Sequence, residues 1–271
     1  SFGMYMKEIR LASKIIKTLV KDRIQYPGRL VADTSSIIAR CGILLLLYSY
    51  VFRLNGGAVS GTTFTVAAWS MFFYFSFSVL GLRGISRAIM HDVTSGQVEV
   101  LLSKPITYLS YRAWWQIGAG IYPFLVTTTL GMIVLVFTVV IPQTMTIHLF
   151  LPTLLLTFVG AILLSLLVYS IVGLLAFWVE DIIPVFWVVD KAVMILGGSY
   201  LPVALFPALM YKIALYSPFG ASVFVTHTMY ESWASVWYTL VGIQLFWIIL
   251  LGLVVYVISL KAMKKVSVNG G

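Results

Sequence analysis

Charged side chains are scarce in this sequence. Asp, Glu, Lys and Arg together make up 10% of its 271 residues, against about a quarter in a soluble domain. The shortage is greatest for acids, nine in all against 18 Lys and Arg. The single cysteine, Cys41, excludes an intramolecular disulfide and a cysteine-based zinc site. The three histidines, His91, His148 and His227, do not share a helical face at metal-ligand spacing, which argues against a zinc hydrolase. Gly220-Ala221-Ser222 has no closing glycine two residues on, so it is not a serine-nucleophile elbow. Nowhere does GxxxxGK[ST] occur, so ATP hydrolysis is not expected of this chain.

What is present is apolar mass: 61% of the residues are AVILMFWYC, gathered in runs long enough to cross a bilayer. In hydrocarbon only helices and closed barrels satisfy their own backbone. These runs are too long for barrel strands and do not alternate strictly, so an all-α, polytopic membrane protein is expected.

Six spans are expected: Leu30 to Phe52, Thr63 to Leu82, Ala113 to Ile141, His148 to Val179, Ile182 to Leu201 and Ser235 to Leu260. Before the first, Lys7, Arg10, Lys14, Lys17 and Lys21 recur every three or four residues. That spacing draws one basic stripe on an amphipathic helix, which suits an anionic leaflet. Pro27-Gly28 ends it, dividing the chain into an interfacial segment 1–28 and a permeating domain 29–271. Between the last two spans, Pro202 to Ala234 is apolar but broken by Pro202, Pro207, Pro218 and Gly220, as for short helices that dip into one leaflet and return.

Basic residues cluster before the first span, between the second and third, and after the sixth. By the positive-inside rule these three places are cytoplasmic. Six spans put all three on one side, so both termini are expected in the cytoplasm and the proline-broken segment outside. The +9 net charge is explained by this bias rather than by nucleic-acid binding.

A charge within a span costs roughly 2.5–3.5 kcal/mol on insertion scales. Arg40 lies inside the first span and either snorkels to the headgroups or faces a polar cavity or partner helix. Asp190 and Lys191 sit midway along the fifth. As neighbours they point apart, so each pairs with other helices or meets substrate. The second span is dense in aromatics, and Trp69 and Phe73 within it are either packing or the wall of a path for an apolar substrate.

The most specific stretch follows the second span: Asp92-Val-Thr-Ser-Gly96-Gln-Val98-Glu99-Val-Leu101-Leu102-Ser-Lys-Pro105. Thr94 or Ser95 is expected to cap a short helix that Pro105 ends, with Val98, Leu101 and Leu102 on one face. So short a helix needs something to pack against. This stretch resembles the loop after the second span of type-2 ABC transporter permeases. Ala176-Phe-Trp-Val-Glu180-Asp181, Gly197-Gly198-Ser-Tyr-Leu-Pro202 and Leu205-Phe-Pro207 also resemble that family, as does the order of elements over nearly the whole chain.

The resemblance implies a permease that pairs with a second permease subunit and with two cytoplasmic ABC ATPase subunits, which carry the ATP and Mg. It implies a plasma-membrane location, in a bacterium the inner membrane, and export as the direction. Asp92, Gly96, Val98, Glu99, Leu101, Leu102 and Pro105 would then form the coupling helix region. Arg40, Trp69, Phe73 and Asp190 would line the pathway, and the proline-broken segment would be a lid. The competing readings are an ATP-independent secondary transporter or channel, which calls for internal repeats and ionisable groups meeting at the midplane, and an intramembrane enzyme, which calls for a converging His, Glu or Ser set.

Overall fold

In a computed structural model the chain is 83% helical, and five of its helices are long and apolar enough to span a membrane. The structure describes residues 2–104, 106–142 and 146–269, with side chains for all of these except 2–7, 29, 33 and 266–269.

Helix α1 (Phe2–Gln25) ends two residues before Pro27, which opens α2 (Pro27–Leu54) from the position where its missing N–H costs nothing. The apolar side of α1 lies on α6 (Tyr108–Thr138). At the crossing, a Cβ on Gly118 would come within 2.9 Å of Leu19 and 3.1 Å of the Ile16 Cα. Arg10, Lys14, Lys17 and Lys21 face outward as the expected stripe.

After α2 a two-stranded ribbon, β1 (Ala58–Val59) and β2 (Thr62–Thr63), turns the chain into α3 (Phe64–Val79). The Thr63 hydroxyl caps α3 by accepting the Val66 N–H. A bend at Gly81, φ +63°, leads into α4 (Gly84–Thr94) and then α5 (Gln97–Leu102). Helix α6 returns across the bundle and packs tightly on the end of α3: a Cβ on Gly120 would lie 2.2 Å from the Leu80 carbonyl oxygen. Helix α7 (Ile147–Leu174) follows. A Cβ on its Gly173 would meet the Ser86 Cα at 2.9 Å, so α4 and α7 touch backbone to backbone.

The expected fifth span is shorter than the sequence suggested. Helix α8 (Ile183–Leu196) has 14 residues, about 21 Å of helix where the hydrocarbon core is about 30 Å thick. Gly197-Gly198 stops it: Gly198 has φ +85°, and a Cβ on Gly197 would strike Val223 at 3.0 Å. The proline-broken segment then forms α9 (Ala208–Tyr216), α10 (Pro218–Ala221) and a 3-10 turn over Phe224–Met229 that packs into α3 and α7. Residues 220–230 are buried throughout.

The last helix, α11 (Trp233–Asn269), runs in the same direction as α7. Trp233 Nε1 near its start donates to Thr153 Oγ1 at 3.1 Å near the start of α7, and Gln244 Nε2 donates to the Thr157 carbonyl at 3.2 Å further along. Residues 175–232 therefore carry the chain back from one end of α7 to the other.

Candidate functional site

The end of α3 and the bend after it form one wall of a cavity of about 500 Å3. Helices α1, α2, α4, α6, α7 and α8 contribute most of the rest, with Ser199 and Val223 from the segment after α8, so the cavity lies where most of the bundle converges. Its polar rim carries four guanidinium groups: Arg23 from the end of α1, Arg40 from α2, Arg83 from the bend and Arg87 from α4. Its interior is aromatic and apolar where Tyr74, Phe75, Phe77 and Pro123 face it.

Asp190, on the second turn of α8, is buried at the cavity wall. Arg83 Nη1 donates to its Oδ2 at 3.1 Å, and Tyr169 Oη donates to its Oδ1 at 3.0 Å. A buried carboxylate needs such partners to remain charged. Arg87 lies over the Phe186 ring at 4.8 Å, a cation–π contact that tethers α4 to α8. Gln116 Nε2 donates to the Gly81 carbonyl at 2.8 Å, fixing the bend from the α6 side.

Of the four expected pathway residues, Arg40 and Asp190 line this cavity. Trp69 and Phe73 do not. Both are buried in helix packing, Trp69 more than a turn before the first lining residue, Tyr74, and Phe73 next to it, and Trp69 donates its indole N–H to the Val140 carbonyl at 3.0 Å. Lys191 points away from Asp190 and out of the bundle, over the Trp187 ring.

The segment expected to form a coupling helix is built differently from its sequence reading. The Thr94 and Ser95 hydroxyls donate back to the Met90 and His91 carbonyls, so they close α4 rather than cap α5. The reversal between the two helices needs a left-handed residue, and Gly96, φ +73°, supplies it. Val98 and Leu101 turn inward, 4% and 9% exposed, and join the main core. Leu102 does not share their face. It is 37% exposed, with Val100 beside it at 67% and Glu99 also outward. Pro105 lies outside the described residues.

Asp92 is fully buried, so it offers nothing to a partner. It accepts hydrogen bonds from Tyr108 Oη at 2.6 Å and Arg112 Nε at 2.5 Å, and a second guanidinium N–H closes a two-pronged ion pair. The end of α4 is thereby locked to the start of α6, with α5 held outside the clamp.

The histidines stay apart. His91 and His148 are exposed, and His227 is buried against the Phe224 and Tyr230 rings. Among the described residues no group of three His, Cys, Asp or Glu side chains could hold a metal ion. Arg23, Arg83, Arg87, Gln116 and Tyr169 were not singled out in the sequence. The arginines had been absorbed into the topological charge bias, although a lone intramembrane Asp190 does call for a cation on another helix. The sequence matches no known protein-family profile and no functionally characterised protein.

Proposed function

We propose that this chain is the membrane-spanning permease subunit of an ATP-binding-cassette exporter, driven by ATPase subunits on separate chains and paired with a second permease. The observation that carries the reading is α5. Six residues do not make a stable helix alone. This one is fastened from behind by Val98, Leu101 and the Asp92–Arg112–Tyr108 clamp, while Glu99, Val100 and Leu102 are left facing out. Such a projection, on the side where basic residues gather, suits docking in an ATPase groove.

The reading also gives a path for force. Helix α5 is anchored to α4, whose first turn and preceding bend carry Arg87 and Arg83 on the cavity. Helix α4 bears directly on α7 at Gly173. Movement of α5 by closing ATPases would therefore reposition the cavity arginines and their hold on Asp190. ATP drives the change only through contacts that differ between the two arrangements.

Residues 175–232 supply the sixth crossing beside five long helices, which returns both termini to the cytoplasmic side, and α9 and α10 dip into the bundle from the other side, where the Tyr216 and Ala221 carbonyls accept from Trp247 and Gln244. The apolar face of α2, with Ile43, Leu46, Leu47 and Tyr50 exposed, suits lipid or the second permease. The location is the plasma membrane, in a bacterium the inner membrane.

Co-purification from native membranes tests the proposal. A stoichiometric ATPase is expected with the wild-type chain and should be lost from Val100→Asp/Leu102→Asp, which should still reach the membrane and fold because both positions are exposed. Retention of the ATPase by that variant would refute the coupling assignment. Isolation of the wild type without an ATPase would favour an ATP-independent transporter or channel.

A further inference from the structure

We infer that the cavity receives the oxyanion headgroup, phosphate or carboxylate, of an amphiphile whose apolar part lies against the aromatic wall. The inference rests on the permease reading in taking the cavity as the substrate site. Its motivation is the charge of the lining: four guanidinium groups, from Arg23, Arg40, Arg83 and Arg87, face one described carboxylate, Asp190.

Asp190 is committed to Arg83 and Tyr169. Arg23, Arg40 and Arg87 form no ion pair with a described carboxylate within 4.0 Å. Three guanidinium groups around one recess, in a chain with only nine acids, concentrate positive potential there. Their planar forks match the oxygens of phosphate or carboxylate. Arg40 reaches the site from within the membrane-facing helix α2, while Phe75, Phe77 and Pro123 supply apolar surface beside it. A free anion would use the arginines and leave that surface uncovered. A neutral amphiphile would cover the surface and leave the arginines unanswered. An anionic amphiphile satisfies both.

The test is binding to the purified full chain in a neutral polyoxyethylene detergent, which needs no ATPase and so is scored separately from the permease reading. The probes are dodecyl phosphate, dodecanol and inorganic phosphate. Dodecyl phosphate should bind at least about tenfold more tightly than either of the others, and more weakly as salt rises. Arg40→Gln/Arg87→Gln, which spares the Arg83–Asp190 pair, should lose that preference, whereas Arg53→Gln/Lys212→Gln, distant from the cavity, should keep it. If inorganic phosphate bound as tightly as dodecyl phosphate, the ligand would be a free oxyanion and the amphiphile assignment would fall. Equal binding of dodecanol, or an undiminished preference in Arg40→Gln/Arg87→Gln with a wild-type melting temperature, would overturn the anion site.

Discussion

Replacing Asp92 by Asn tests whether this residue holds α5 in place or meets the proposed ATPase partner. Asn keeps the shape of the side chain but removes its charge. Arg112, itself mostly buried, then loses its only described carboxylate, and Tyr108 donates to a weaker acceptor. Breaking a buried pair from one side costs about 3–5 kcal/mol, because the surviving charge is left without compensation. At roughly 2–4 °C per kcal/mol for a chain of about this size, the melting temperature should fall by about 6–20 °C. Removing both charges, as Asp92→Asn/Arg112→Gln, should cost less than the two single changes added together, because no orphaned charge remains. The assay is thermal unfolding of the purified chain without any ATPase. A side chain whose role is to meet the ATPase would leave that melting temperature unchanged. A wild-type value for Asp92→Asn, or strict additivity in the double variant, would refute the clamp.

Other consequences concern packing and topology. Gly120→Ala drives a Cβ against the Leu80 carbonyl, 2.2 Å away, and should destabilise the α3–α6 contact by about 1–3 kcal/mol, read as a lower melting temperature. In a Cys41→Ser background, cysteines at Asn55 and Lys212 should react with an impermeant thiol reagent in intact cells while one at Lys104 does not; labelling at Lys104 alone would invert the topology.

Much of this architecture was legible in the sequence because it depends on local signals. Pro27 marked the start of α2, apolar run length marked five spanning helices, and the prolines between 202 and 218 marked the broken segment. The short α8 was misjudged because Gly197-Gly198 ends a helix without interrupting hydrophobicity. The orientation of α5 was not readable. Val98, Val100, Leu101 and Leu102 are equally apolar, and in a six-residue helix no periodicity distinguishes the side facing the core from the side facing out. The cavity lay beyond reach for another reason: the Arg83–Asp190 pair joins positions 107 apart, and only the folded bundle brings them together. Composition alone suggests Trp69 and Phe73 for the pathway, and only the packing of α3 shows that they do not line the cavity.

The proposed docking of α5 on an ATPase is read out by a photo-crosslinking amino acid in place of Leu102. After illumination of native membranes, a single major adduct is expected between this chain and a nucleotide-binding ATPase subunit, absent when the same group replaces the outward-facing Leu209 of α9. Adducts confined to this chain's own helices or to lipid would contradict it.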